Sequence, residues 1–508
     1  MYKLLLIQKY LIKRRIAWVS LAAVMMCVVM VLVVISVMGG WLRMFEQSFR
    51  GLSGDVIVQG TQLRGFAKYE QILEGVEKLP GVAAAIPVVR TFAVINIDDQ
   101  QSPGVQVIGY PIDKVGRVNN FPESLYLQYG QYIEEADDKT NDLTDAQRAE
   151  LRRKAEELRK SPSFALPLPA EAYLERFPNA PKRPDGTYRN DPASWTGMIA
   201  GSGVLDIRKD KQGKIIGREE FLYRLPVTMT MPRISASNRI ENTGTVGRNY
   251  WIVDDSRTKL WQYDSSTVYV PFEVLQQDLG MGQQTYTDRE TGEKGIEPAR
   301  AHEINVRIKP GADLQAVRDE IEGVVMDVQG LPRDALAVSG PANVKVMTWR
   351  ESQAVPLGAI ENEKALVTTL FGLISLVAVF LIFCIFYMIV VEKTRDIGIV
   401  KSVGATSTGV AMIFLGYGLA IGIVGSLLGL GLGYLIVTYI NEIHTWLGHF
   451  GLVIWNPEVY MFDSIPNTMD MTEAAWIIAV AIASSVVGAL LPAIRAARLN
   501  PVEALRWE

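Results

Sequence analysis

Side chains that often catalyse reactions or bind metals do not form a recognised motif in this sequence. The three histidines, His302, His444 and His449, have no cysteine, aspartate or glutamate at the spacing of metal ligands. The two cysteines, Cys27 and Cys384, lie in apolar runs and are interpreted as small hydrophobic side chains, although a disulfide between them is an alternative. Neither the nucleophile elbow G-x-S-x-G nor the phosphate-binding motif G-x-x-x-x-G-K-S/T is present. We therefore expect a chain with no catalytic site, no metal site and no cofactor of its own.

A short run of mixed charge, EKTRDIGIVKSVGAT at 392–406, is unusual because uncharged apolar sequence surrounds it on both sides. Its polar residues are Glu392, Lys393, Arg395, Asp396 and Lys401. On a helix its apolar side would be narrow and would consist of Ile397, Val400, Val403 and Gly404. The sequence that starts at Gly404 predicts the end of this helix and the start of the next one. Two interpretations fit the pattern: a helix that lies on anionic lipid, and a helix that binds another protein.

Four uncharged segments are long enough to cross a bilayer, which takes about 20 apolar residues of helix. They are 16–40, 365–391, 409–440 and 474–494. The first is longer than the apolar region of a signal peptide and has no A-x-A cleavage site after it, so it is expected to remain as a helix. The sequence therefore predicts an α-helical membrane protein with four transmembrane helices.

Lysine and arginine predict the orientation of these helices. Segments 1–15, 392–406 and 495–508 carry several basic residues, whereas 441–473 carries none. We therefore expect the first three segments in the cytoplasm, so that both termini are cytoplasmic. The loop 441–473 and the long segment 41–364 would lie on the outer side of the membrane.

The segment 41–364 is predicted to form a large extracytoplasmic α+β domain between the first two transmembrane helices. Runs with β-branched residues, such as FAVINI at 92–97, alternate with amphipathic patterns such as 312–328. Residues 131–196 are rich in charge and proline and are interpreted as an insertion, with a lightly docked helix that begins at the capping box of Thr144 and Gln147. The insertion is either a partner-binding element or a peripheral excursion. The net charge of −4 gives no electrostatic reason to expect nucleic acid as a partner.

The C-terminal third closely resembles the FtsX-like permease domain of ABC transporters, a group that includes MacB-type exporters, FtsX regulators and the LolC and LolE subunits of lipoprotein release. In that family the loop between the second and third helices reads like E-K-x-x-D/E-I-G/A-I-L/V-R/K-x-x-G-A-S/T, which is similar to this chain at 392–406. The C-terminal sequence from Pro492 to Glu508 resembles a second family motif. VISVMGGW at 34–41 and TWRESQAVPLGAIENEKAL at 348–366 are similar to the lipoprotein-releasing branch. The resemblance does not extend over 131–196.

This resemblance implies that 392–406 is a coupling helix that binds a separate cytoplasmic ATPase, which would hold ATP and magnesium. The residues concerned are Glu392, Lys393, Arg395, Asp396, Ile397, Gly398, Ile399, Val400, Lys401 and Gly404. The chain would be a non-catalytic permease in the bacterial inner membrane, paired with an identical or different second permease. Its most specific implied role is release of lipoproteins from the outer leaflet, and MacB-type export and FtsX-type regulation of a cell-wall hydrolase are the alternatives.

Two further residue sets have roles that the sequence leaves open. Apolar residues near the outer ends of the first two helices either hold the acyl chains of a client or pack the helices together: Trp41, Leu42, Met44, Phe45, Phe49, Leu357 and Ile360. Glycines recur every three or four residues in the third helix, at Gly418, Gly422, Gly425, Gly429 and Gly433. Such a row allows close helix packing, either within the chain or with a second subunit.

Overall fold

The computed structural model describes residues 15–97, 100–138, 142–165, 195–205, 208–209, 215–216, 226–234, 240–258, 260–287, 294–330, 344–452 and 465–505. The described residues form two compact units. The helical unit holds those within 1–44, 355–455 and 464–508, and the sheet unit holds those within 45–354.

The elements are numbered along the chain. The helices are α1 (Arg15–Ser53), α2 (Tyr69–Glu77), α3 (Ile112–Val118), α4 (Gln131–Asp137), α5 (Asp145–Lys160), α6 (Trp261–Asp264), α7 (Phe272–Asp278), α8 (Leu314–Gln329), α9 (Trp349–Ser352), α10 (Ala354–Glu392), α11 (Thr394–Ser402), α12 (Ser407–Thr438), α13 (Ile440–Gly448), α14 (Met471–Arg498) and α15 (Pro501–Leu505). The strands are β1 (Val56–Gly60), β2 (Phe66–Ala67), β3 (Val82–Ile97), β4 (Gln100–Tyr110), β5 (Thr196–Gly201), β6 (Arg208–Lys209), β7 (Ile215–Ile216), β8 (Pro226–Ile234), β9 (Ile240–Ser256), β10 (Thr267–Pro271), β11 (Gln284–Thr287), β12 (Lys294–Glu297), β13 (Arg300–Ala301), β14 (Glu303–Ile308) and β15 (Val344–Thr348).

Four helices, α1, α10, α12 and α14, are long and apolar enough to cross a membrane by length and composition. With a sheet-rich domain between the first two of them, this confirms the predicted fold class. The helices differ from the predicted spans at their ends: α1 runs to Ser53 instead of residue 40, and α10 begins at Ala354 instead of 365. The extension of α1 carries Phe49 and Leu52, which are buried in the sheet unit, so packing stabilises a helix beyond the apolar run. It ends before Gly54, whose φ of +83° favours glycine.

The segment 441–473 was predicted as a loop, but its first part is the helix α13. This helix lies within the predicted connection between the third and fourth transmembrane helices, and it has an amphipathic pattern that no proline or glycine interrupts before Gly448. The side chain of Asn441 links α13 to residue 465: its carbonyl oxygen accepts a 2.7 Å hydrogen bond from the backbone N–H of Ile465.

The sheet unit is built on a nine-stranded sheet with the order β15-β1-β14-β3-β4-β10-β5-β9-β8. The long strand β3 joins its two parts, since its first half pairs with β14 and its second half pairs with β4. The end of β3 also pairs with β8. This additional pairing closes the strands β3-β4-β10-β5-β9-β8 into a ring. Most neighbours are antiparallel, whereas β10 runs parallel to β4 and β5 runs parallel to β9.

The buried carboxylate of Asp55 connects the end of α1 to the sheet. It accepts a 2.6 Å hydrogen bond from the Arg50 guanidinium and a 3.0 Å bond from the backbone N–H of Ile308. A hydrogen bond to an ionised group is among the stronger ones in proteins. Asp55 therefore ties the last turn of α1 to strand β14 within the sheet unit.

The described part of the predicted insertion packs on the sheet unit through Phe164. The capping box at the start of α5 is confirmed, since the Thr144 hydroxyl accepts from the backbone N–H of Gln147 and the Gln147 side chain accepts from that of Thr144. Most of α5 is exposed, but Phe164 is buried in a core cluster with Ile199. Gly197 permits this contact, because a Cβ there would lie 1.8 Å from the Phe164 carbonyl oxygen.

Candidate functional site

Helix α11 and its flanking turns form a compact element at the end of the helical unit. The inner side of α11 is anchored by Ile397, which is 6% exposed and packs in a cluster with Val390, Val410 and Ala496. These partners come from the ends of α10, α12 and α14 respectively. The side chain of Ile397 therefore packs the short helix against all three long helices that surround it.

Lys401 provides a polar anchor on the same helix. Its ammonium donates a 2.8 Å hydrogen bond to the carbonyl of Ala497 and a 2.7 Å hydrogen bond to that of Leu499. These carbonyls lie at the C-terminal end of α14, where backbone acceptors have no helical donor and where a positive charge is favourable. Lys401 thus caps α14 and fixes α11 to it.

The outer side of α11 presents apolar and charged side chains together. Ile399 is 48% exposed and Val403 is 84% exposed, and Arg395 is also exposed. On the adjacent α15, Val502 is 72% exposed. Single exposed apolar side chains are common, but a group of them on one short element is typical of a surface that binds a partner.

One sequence-based expectation for this helix needs correction. Ile397, Val400 and Val403 were placed on one apolar side, but Ile397 faces inward while the two valines are exposed. The contact of Lys401 with a partner stays a prediction, and two bonds of its ammonium go to carbonyls of its own chain. The periodicity of a nine-residue helix could not identify its buried side, because apolar residues occur on both sides.

The other residues of this set are arranged around these anchors. Lys393 forms an ion pair with Asp396, one turn later on the helix. Gly398 is buried, and Gly404 has a φ of +103°, which ends the helix as the sequence predicted. Glu392 is exposed at the end of α10. Thr406 then starts α12 with its side chain, which accepts from the backbone N–H of Gly409.

The glycines of α12 face two other helices of the same chain. A Cβ at Gly418 would lie 2.6 Å from the Cβ of Ala489 in α14, and Gly422 faces the same helix. A Cβ at Gly429 would lie 2.8 Å from the Cβ of Val28 in α1. Gly425 and Gly433 also face α1. One row of glycines therefore packs α12 against α14 in its first half and against α1 in its second half.

The apolar residues that were grouped as a groove do not stay together in one unit. Phe49 is 3% exposed in the core of the sheet unit, where its ring lies 6.0 Å from that of Tyr263. Phe45 stacks on Phe49 at 5.9 Å. The expectation that Phe49 lines a groove is therefore wrong, whereas Phe45 is half-buried. The remaining members belong to the helical unit, where Leu357 is buried and the others are half-buried: Trp41, Leu42, Met44 and Ile360.

The buried carboxylates of the sheet unit hold backbone rather than a ligand. Asp254 accepts hydrogen bonds from the backbone N–H groups of Leu127 and Gln128, and Asp264 accepts from the backbone and hydroxyl of Thr258. Burial raises the pKa of each carboxyl to about 7. Within the described residues, no group of three histidine, cysteine, aspartate or glutamate side chains could hold a metal ion.

Part of the helical unit matches a known protein family. The family model described as FtsX-like permease C-terminal matches residues 368–501, which include α11 and the glycine row of α12. The lipoprotein-releasing system transmembrane protein LolC of Neisseria meningitidis is 32% identical over 166 residues, which are 32% of this chain and 40% of LolC. The chain therefore spans about two fifths of the length of that relative.

Two further matches extend over more of the chain at lower identity. The uncharacterized ABC transporter permease YknZ of Bacillus subtilis is 23% identical over 62% of this chain and 70% of YknZ. The periplasmic region of MacB from Actinobacillus actinomycetemcomitans covers 62% of this chain at 8% identity, with a TM-score of 0.27. The resemblance that the sequence motifs indicated is confirmed: residues 368–501 of this membrane protein match the family model described as FtsX-like permease C-terminal, and part of the chain is similar to LolC permeases.

Proposed function

We propose that this chain is the non-catalytic permease subunit of an ABC transporter in the bacterial inner membrane, and that a separate cytoplasmic ATPase supplies ATP, magnesium and hydrolysis. The observation that carries the proposal is the outer surface of α11 within the matched FtsX-like domain. There Arg395 and Ile399 are exposed on α11, and Val403 is exposed directly after it. The opposite side of α11 packs against the long helices through Ile397. An ATPase can transmit its motion to a membrane protein only if it binds a surface that is held firmly to the long helices. The exposed apolar and charged side of α11 is such a surface.

The anchors of α11 explain how such a push would be transmitted. Displacement of α11 would move α10 and α14 together, because Ile397 packs against both and Lys401 is hydrogen bonded to the end of α14. A long helix is stiff and transmits tilt over its length. The motion would reach the sheet unit along α1 and α10, with both termini in the cytoplasm as the basic residues predict.

Release of lipoproteins from the outer leaflet is the most specific role we assign. It is supported by the similarity to a lipoprotein-releasing LolC subunit, which covers part of each chain. The complex would contain two permeases, identical or different, two ATPases and a lipid-modified client. Export of another client and control of an extracytoplasmic cell-wall hydrolase are the alternatives, supported by the match to MacB-type permeases and the FtsX-like family.

Purification of the tagged full-length protein from its own membranes, with mass spectrometry of bound proteins, tests both levels of this proposal. A P-loop ATPase together with acylated proteins is the expected result. An ATPase with a soluble adaptor or a hydrolase would retain the coupling role and replace the client. Absence of an ATPase in several mild detergents would overturn the proposal.

A matched pair of variants tests the surface on α11. Val403→Asp adds a charge to a residue that is 84% exposed on the proposed contact surface, and Val355→Asp does the same at a residue that is 86% exposed at the other end of α10. We expect Val403→Asp to lose the bound ATPase and Val355→Asp to retain it. Equal recovery of the ATPase with both variants would place the contact elsewhere.

A further inference from the structure

A cavity of about 440 Å³ lies between α1, α10 and α14 within the helical unit. Its wall is mainly apolar and includes Val28, Phe371, Ile382, Ile477 and Val480. Its volume is in the range of pockets that bind small molecules. The glycine row of α12 faces α1 and α14 as well, but α12 itself contributes none of the residues that line this cavity.

One end of the cavity is charged. The ammonium of Lys364, near the start of α10, lies 2.8 Å from the carboxylate of Glu473 in the first turn of α14. Both side chains are partly exposed and both line the cavity. An ammonium has three donors, so Lys364 can bind a phosphate oxygen while it keeps its bond to Glu473.

The cavity is elongated along the helices. Its lining runs about 18 Å along α14, from Glu473 to Ser485, and about 27 Å along α10, from Lys364 to Ile382, at 1.5 Å per residue. The hydrocarbon core of a bilayer is about 30 Å thick, so one leaflet contributes about 15 Å. The cavity is therefore longer than one leaflet is deep, which leaves room for an acyl chain that runs along the helices from the end marked by the ion pair.

The cavity is open sideways on an apolar surface. Gly372 is exposed at its edge, as are Trp476 (69%) and Val480 (50%) on α14. Neighbouring residues such as Leu373 and Val377 are also exposed and apolar, as expected for a surface in contact with lipid. Where this opening faces the bilayer, the chains of bilayer lipids can enter it without leaving hydrocarbon.

We propose that this cavity binds one acyl chain of a bilayer phospholipid, with the phosphate close to Lys364. The geometry that carries the inference is an elongated apolar space with a charged mouth and a lateral opening. A resident phospholipid would fill the space between α1, α10 and α14. The inference concerns a bound lipid and does not depend on which client the transporter moves.

The test uses the full-length protein in vesicles of phosphatidylethanolamine and phosphatidylglycerol that contain a small fraction of phosphatidylethanolamine with a photoreactive diazirine at the end of one acyl chain. After illumination, labelled peptides are identified by mass spectrometry. We expect labels to concentrate on residues 24–35, 368–382 and 476–485. Labels spread evenly over the exposed surface of α12 as well would overturn the proposal.

A matched pair of glycine variants gives the control. A Cβ at Gly372 meets no atom within 4 Å, so Gly372→Leu fills the cavity without a clash with the backbone. Gly431 on α12 is equally open and exposed but lies outside the cavity. We expect Gly372→Leu to lower labelling of the cavity peptides by about tenfold, which corresponds to about 1.4 kcal/mol, and Gly431→Leu to leave it unchanged.

Gel filtration shows whether Gly372→Leu perturbs folding. If it does, the second cavity variant, Ser484→Leu, should still lower the labelling of the cavity peptides. Equal labelling of both cavity variants and Gly431→Leu would overturn the proposal. A second outcome would also overturn it. If the protein purified from its own membranes carries an acylated protein instead of a phospholipid, and both cavity variants lose it, the cavity is a client site.

Discussion

The ammonium of Lys401 donates a 2.7 Å hydrogen bond to the backbone carbonyl of Leu499, which lies 98 residues later in the chain. A second bond of 2.8 Å reaches the carbonyl of Ala497. Through these bonds the short helix α11 is tied to the end of α14, and Ile397 adds an apolar contact with Ala496 at the same place. A force on α11 therefore acts on α14 directly.

Lys401→Met should loosen the end of α14, because it removes a charged donor from two carbonyls. A hydrogen bond to a charged group contributes roughly 1.5–3 kcal/mol, and the partial exposure of Lys401 places the expected loss at the lower end of this range. Hydrogen exchange of the amides at 497–505 would measure the loss. Arg395→Met is the control, since it removes an exposed charge from the same helix. If both variants exchange at the same rate, the bonds of Lys401 do not hold α14.

Ile397→Asp and Ile399→Asp should fail in different ways although they place the same charge two residues apart. Ile397 is 6% exposed, so an unpaired carboxylate there should destabilise the helical unit and lower the yield of folded protein. Ile399 is 48% exposed, so Ile399→Asp should fold normally and lose the ATPase that co-purifies. Gel filtration and co-purification separate the two defects. A folded Ile397→Asp protein with full coupling would contradict the inward position of this residue.

Gly429→Val should destabilise the packing of α12 against α1. A Cβ at Gly429 would lie 2.8 Å from the Cβ of Val28 and 2.9 Å from the carbonyl oxygen of Met25. Overpacking of this kind costs about 1–3 kcal/mol. Thermal unfolding in detergent would measure it as a lower midpoint, with Gly431→Val as the control because a Cβ there meets no atom within 4 Å. Equal midpoints for the two variants would mean that this helix contact does not exist.

His302 should make the sheet unit less stable in mild acid. Its Nδ1 accepts a 3.2 Å hydrogen bond from the backbone N–H of Arg90, and its Nε2 donates a 2.7 Å bond to the carbonyl of Leu63, so the ring is neutral. Burial lowers the pKa of His302 below its ordinary value of about 6.5. The unfolded chain then binds a proton before the folded one as the pH falls, and the stability is lost from about pH 6.5 downward.

The comparison of wild type with His302→Gln isolates this effect, because glutamine does not titrate. The midpoint of thermal unfolding should fall further for the wild type than for the variant between about pH 7.5 and about pH 5.5. Asp254 and Asp264, with pKa values raised to about 7, change stability in the opposite direction, but they are present in both proteins and cancel in the difference. Identical pH profiles would show that His302 does not titrate in this range.

The features that depend on a strong local pattern were predicted from the sequence. Long uncharged runs predicted the four apolar helices, because the hydrophobicity of a run depends only on the residues within it. The capping box of Thr144 and the helix end at Gly404 were predicted for the same reason, because each depends on a few adjacent residues. The motif at 392–406 also identified the domain that the family comparison then matched.

The features that depend on contacts between distant residues were decided only by the tertiary structure. Periodicity placed Ile397 and Val403 on one side of a helix, but the ends of α10, α12 and α14 determine which of them is buried. Phe49 was predicted to line a groove, but it is buried in the core of the sheet unit. The packing of Phe49 in this core is the reason why α1 continues to Ser53. The carbonyls that Lys401 binds are backbone groups, which have no signature in the sequence. Burial and hydrogen bonding join residues that are far apart in the chain, so they cannot be read from spacing alone.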